Sequence, residues 1–133
     1  MTKERRIDLI EAAARVLAEA GMPGATGSLS EAAMAPEATV ITTGVPTRGR
    51  RYWDGTGTTV VRLTVLVKRL SEERALADAA EASRAMRREG ALASANGSYV
   101  LVSCEADMPR LLAWDGRGGI TYVLDVSVEY EEA

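Results

Sequence analysis

Apolar positions change their period along this chain, and each change predicts a different element. Between Lys3 and Ala20, Ile7, Ile10, Ala14 and Leu17 recur at three and four residues, which gathers them on one face of a helix. Lys3, Glu4, Asp8, Glu11, Arg15 and Glu19 fall mostly on the other face. Gly21 and Pro23 end the helix, because glycine accepts the left-handed position after the last turn and proline cannot continue the ladder. The stretch from Gly21 to Pro36 is rich in glycine, alanine and serine, with Ser28 and Glu31 at capping-box spacing, so a short helix and an irregular connection are both open there.

From Ala38 onward the pattern becomes that of strands. Thr39-Val40-Ile41-Thr42-Thr43 is β-branched throughout and is closed by Gly44 and Pro46. Arg50-Arg51-Tyr52-Trp53 and Thr58 to Arg69 flank Asp54-Gly55-Thr56-Gly57, whose glycines permit the positive φ of a hairpin turn. In the second arm Val61, Leu63, Val65 and Val67 share a core face, opposite Arg62, Thr64 and Lys68.

Ser71 can cap a helix running to about Glu89, with Glu72 and Glu73 at its positive end and Arg87 and Arg88 at its negative end. The apolar stripe is expected at Leu76, Ala79, Ala80, Ser83 and Met86, and Gly90 stops it. Tyr99 to Glu105 predicts a strand, Asp115 to Gly119 a turn, and Ile120, Tyr122, Leu124, Val126, Val128 and Tyr130 alternate with polar residues in a final strand that only Val123 interrupts. The fold class is therefore α+β: an antiparallel or mixed sheet of about four to five strands with two main helices packed on one face. Residues 1–133 fit a single domain, and no internal repeat argues for more.

Charge adds local detail. The net charge of −3 gives no global attraction to phosphate backbones. Arg48, Arg50, Arg51, Arg62, Lys68, Arg69 and Arg74 face only Asp54, Glu72 and Glu73 across the middle of the chain, a pattern that solvated strand edges explain as well as an anion patch does. No apolar run approaches the ~20 residues that cross a bilayer, no secretory segment is read at the start, and the one cysteine, Cys104, has no internal partner. A protein of the reducing cytoplasm is expected.

The search for chemistry yields no catalytic, cofactor-binding or metal-ligating assignment. Histidine is absent, removing the commonest general base and transition-metal ligand. Cys104 sits in an apolar strand with no imidazole to activate it, as a small buried hydrophobe would. Gly116-Arg117-Gly118-Gly119 precedes a strand, so it lacks the helix amides that hold phosphate. Asp54 and Asp115 precede glycines in turns, Asp125 lies on the polar face of a strand, and helix polarity accounts for Glu72 and Glu73.

Two segments carry the side chains that interfaces favour, aromatics, methionine and arginine. The first is Arg48, Arg50, Arg51, Tyr52 and Trp53 at the hairpin; the second is Met108, Arg110, Leu111, Leu112 and Trp114, in what reads as an exposed connection. Pro46 through Gly55, with an Arg-Arg-Tyr-Trp-Asp-Gly run leading into a strand and then an alanine-rich helix, resembles the hairpin and helix of tailed-bacteriophage minor capsid proteins that act as tail terminators, and Tyr122 to Tyr130 resembles their closing strand. This resemblance implies a structural neck protein, made in the bacterial cytoplasm, that forms a ring, a hexamer in that family, between the tail tube protein and the head connector protein. It implies no cofactor, no membrane and at most non-specific contact of the Arg48 to Arg51 stretch with passing DNA. Three other classes are open: a different head-completion protein, a small ligand-binding or enzymatic α+β domain, and an adaptor or secretion chaperone.

Overall fold

In a computed structural model, which describes residues 7–22, 37–114 and 119–132, the elements follow the chain as α1 (Leu9–Glu19), β1 (Ala38–Thr43), β2 (Thr47–Arg51), β3 (Gly57–Arg69), α2 (Glu72–Arg87), β4 (Tyr99–Ala106), β5 (Arg110–Trp114) and β6 (Ile120–Glu132). The two longest strands, β3 and β6, pair antiparallel from Thr59 opposite Tyr130 to Arg69 opposite Ile120 and form the centre of the sheet. Along the outer edge of β3 lie β1 and then β2; along the outer edge of β6 lie β4 and then β5, every pairing antiparallel. The fold is thus α+β with six strands, a little more than the expected number.

Prolines account for the extra strands. β1 and β2 are one edge strand broken at Gly44-Val45-Pro46, and β4 and β5 are another broken at Asp107-Met108-Pro109. Proline has no N–H for the ladder and is confined to sheet edges and breaks. The segment read as a connection from Met108 to Trp114 is accordingly corrected: Arg110–Trp114 pairs with β6 as β5.

An internal repeat also emerges, against expectation. Helix, proline-broken edge strand and long inner strand occur twice in the same order, and Trp-Asp-Gly-x-Gly stands at Trp53–Gly57 and again at Trp114–Gly118. Because β3 and β6 are antiparallel and the helices share one face, the halves are related by an approximate two-fold axis normal to the sheet near Thr64 and Asp125.

The core lies between that face and the helices. Val61, Leu63, Val65 and Val67 of β3 and Ile120, Tyr122, Leu124, Val126, Val128 and Tyr130 of β6 are buried there as their alternation predicts. Both helices present a face rotated from the expected one. α1 buries Leu9, Ala12, Ala13, Val16 and Leu17, leaving Ile10 exposed; α2 buries Ala75, Ala79, Ala82, Ser83, Ala85 and Met86, leaving Leu76 exposed. Alanine-lined stripes let a helix sit close to a sheet, and that close seating fixes the rotation. α2 ends at Arg87, slightly earlier than expected, and Ser71 caps it by accepting from the Arg74 amide at 3.4 Å. After α1, Gly21 at φ +87° and the Met22 amide bonded to the Leu17 carbonyl (2.8 Å) turn the chain as glycine permits. The short-helix alternative between Gly21 and Pro36 falls on residues 23–36, outside the described residues.

Two anchors hold the layers together. Arg69, buried at the end of β3, donates to Asp78 of α2 (2.8 Å), to the carbonyls of Ala38 (3.0 Å) and Lys68 (2.9 Å), and to the Thr39 hydroxyl (2.9 Å). Asp8, preceding α1, accepts from Ser94 and Ser98 hydroxyls and from the amides of Ala95 and Asn96. Partial burial opposes its charge, but these donors outweigh that and hold the carboxyl at about 2.

Candidate functional site

The turn of the β2–β3 hairpin is made by the residues its sequence suggests. Asp54 accepts from the Thr56 amide (3.0 Å) and hydroxyl (2.6 Å), Gly55 adopts φ +87°, and the Tyr52 amide bonds to the Thr56 carbonyl (2.9 Å). The Thr56 donors keep the Asp54 carboxyl below its ordinary range. Gly57 is required by close approach, since a Cβ there would lie 2.3 Å from the Arg50 carbonyl oxygen.

Tyr52 and Trp53, adjacent in sequence, have different fates. The Glu131 carboxylate beside the Tyr52 hydroxyl raises its pKa and sets this side of the tip against β6. Trp53 makes no such contact and is fully exposed, 107% relative to the reference residue. An indole left in water at a rigid turn is a ready anchor for a partner surface.

The basic stretch separates into committed and free side chains. Arg50 pairs with Glu129 (3.5 Å), which also accepts from Thr58; the Thr58 hydroxyl first and Arg50 after it hold the Glu129 carboxyl below the usual range. Arg74 pairs with Glu37 (2.7 Å), Arg69 is buried, and Lys68 has a partner. Arg48 and Arg51 are exposed and make no ion pair among the described residues, so the patch expected from the sequence reduces to these two and Arg62.

The second predicted segment lies across the sheet. Met108 is 73% exposed at the β4–β5 break, and Leu111 and Leu112 are exposed on β5. Arg110 is held on the sheet surface by Asp125 (3.3 Å), which also accepts from Thr64 (2.9 Å). Trp114 is the last residue of β5, opposite Ile120. The structure does not bring the two segments together: the Arg48–Trp53 group sits on the β2 edge and the Met108–Trp114 group on the β5 edge, with β3 and β6 between them.

Three exposed apolar residues escaped the sequence reading, Val45, Leu70 and Val100, and the first of them is the most exposed. Val45, 84% exposed in the first edge break, precedes Pro46 as Met108 precedes Pro109. The recurring apolar-Pro pair and the recurring Trp-Asp-Gly-x-Gly were the signals that could have found it.

Between the start of α1 and the root of the hairpin none of the described elements covers the helix-facing side of the sheet. A groove of about 790 Å³ opens there, with Ile7 and Ile10 on one wall, Pro46, Arg48 and Arg51 on the other, and Tyr130 among the lining residues.

Cys104 forms no reactive centre. Burial first, and Glu105 to a lesser degree, push its thiol up to about 11, and its Sγ lies 3.4 Å from the Met86 carbonyl. Among the described residues no three or more of His, Cys, Asp and Glu are gathered where they could hold a metal ion, and no helix is long and apolar enough to cross a membrane. Comparison with known proteins finds no family model and no curated protein that matches the chain.

Proposed function

We propose that this protein is a non-enzymatic assembly subunit that joins copies of itself and neighbouring proteins through its two sheet edges, acting as the tail terminator in the neck of a tailed phage. One observation carries the assembly part: the three most exposed large apolar side chains among the described residues stand at the hairpin tip and the two edge breaks, Trp53 and Val45 on one edge and Met108, with Leu111 and Leu112 beside it, on the other. Two unlike patches facing in opposite directions are what a head-to-tail contact needs in order to repeat and close into a ring.

The prolines and bulges at both edges interrupt continuous strand pairing, so side chains make such contacts. The neck setting, with the tail tube and head connector as partners, is supported by the resemblance of Pro46 to Gly55 and of Tyr122 to Tyr130 to tail terminators.

Light scattering after size-exclusion chromatography tests the proposal, with and without purified tail tubes. The expected result is a multiple of the 14.2 kDa chain mass, or capture on tube ends, lost in Trp53→Ala and in Met108→Ser. A monomer that binds no tube, or assembly untouched by both substitutions, would falsify it.

A further inference from the structure

We infer that the groove between α1 and the β2–β3 hairpin is a docking site for a short peptide segment in which carboxylates alternate with aliphatic side chains. The inference stands apart from the ring proposal, because it uses other residues and needs only one subunit.

Charge is the first ground. Arg48 and Arg51 line one wall of the groove, and neither guanidinium makes an ion pair or side-chain hydrogen bond among the described residues, although Arg50 between them is paired with Glu129. Two planar guanidiniums from one strand line the same groove, and each presents a fork geometry that a carboxylate satisfies with paired hydrogen bonds. Among the described residues the one carboxylate lining the groove, Glu132, lies at the β6 end and makes no ion pair with either arginine.

Apolar surface is the second. Ile10 lies on the side of α1 that the sequence pattern assigns to the core, yet it is 37% exposed and lines this groove with Ile7, Pro46 and Val61. An aliphatic group placed against them removes apolar area from water at both partners. A purely polyanionic ligand would leave that surface wet, and a purely apolar one would strip water from two unpaired cations.

The combination selects the occupant. Nucleic acid offers phosphates but no aliphatic groups, and a long polyanion in the groove would meet Glu132 on a chain of net charge −3. A peptide mixing both kinds of side chain matches both walls. Glu132 further sets its direction, with carboxylates toward β2 and neutral or basic residues toward the end of β6. The volume of about 790 Å³ suits several side chains, within the ~300–1,000 Å³ typical of ligand clefts.

Fluorescence anisotropy with a short labelled peptide alternating glutamate with leucine and valine tests this, against a lysine-for-glutamate version, a serine-for-aliphatic version and an oligo-dT strand. Saturable micromolar binding of the first peptide alone is expected, weakened at least about tenfold in the Arg48→Glu, Arg51→Glu double variant and about threefold in Ile10→Ser. Arg88→Glu, at the far end of α2, should leave it unchanged, as should Trp53→Ala and Met108→Ser, so failure of the ring proposal and failure of this one are told apart. Thermal melts matching the parent verify folding, since Arg48 and Arg51 make no ion pair or side-chain hydrogen bond among the described residues. Absence of saturable binding, equal binding of the lysine peptide, or tighter binding of oligo-dT through the same arginines would each overturn the inference.

Discussion

Replacing Arg69 tests whether the sheet and α2 are held by one buried guanidinium. Its side chain is 9% exposed and makes four hydrogen bonds that join β3 to α2 and to β1, whereas Asp78 is 36% exposed. Removing one member of a buried ion pair costs about 3–5 kcal/mol, because the other charge is stranded. Here Asp78 can rehydrate, which lowers the cost, but the Ala38 and Lys68 carbonyls and the Thr39 hydroxyl lose their donor inside the protein. Arg69→Met, which keeps most of the aliphatic stem, is therefore expected to lose about 3 kcal/mol, a fall in Tm of about 12 °C at roughly 4 °C per kcal/mol for a domain of this length. Arg69→Lys retains the charge but reaches fewer acceptors from a single ammonium and should lose about half as much. Calorimetry and urea titration measure both. A Tm of Arg69→Met within about 3 °C of the parent would refute the anchoring role.

Other outcomes follow from the same geometry. Asp8 has its pKa depressed to about 2 from 3.8, so its contribution is present above about pH 4 and fades as pH falls toward 2; Asp8→Asn should be less stable by about 1 kcal/mol at pH 6, with the gap closing in urea titrations toward pH 3. A thiol pushed up to about 11 is thiolate in only about one molecule in a thousand at pH 8, so iodoacetamide should leave Cys104 largely unmodified in the folded protein and alkylate it readily in urea. Gly57→Ala, whose new methyl would meet backbone, is expected to cost about 1–3 kcal/mol in denaturant titration, with equal stability contradicting the close approach. Trp53→Ala should shift stability by less than about 0.5 kcal/mol, because the indole packs on nothing in its own subunit.

Much of the candidate site could be read from residue types, and less of it from their arrangement. Tyr52 and Trp53 were legible as interface residues, but that Tyr52 folds back onto Glu131 while Trp53 stands in water depends on a contact with β6, far along the chain. The basic run from Arg48 to Arg74 could not be sorted locally, since Arg50, Arg69 and Arg74 are committed by carboxylates on other elements. The groove was invisible because it exists only where α1 stops short of the hairpin root.

Local physics decided what depends on neighbours along the chain. Two-residue alternation fixed the buried faces of β3 and β6, Asp54 and Gly55 fixed the turn, and Ser71 fixed the start of α2, because each acts within a few residues of backbone. Tertiary structure decided which way each helix faces. A three-to-four spacing containing alanine fits several stripes about equally well, and only close seating against the sheet selects Ala75 over Leu76 and Leu9 over Ile10. It likewise gave the halves their two-fold relation and placed the exposed patches on opposite edges, since strand partners are chosen by long-range hydrogen bonding that no local pattern encodes.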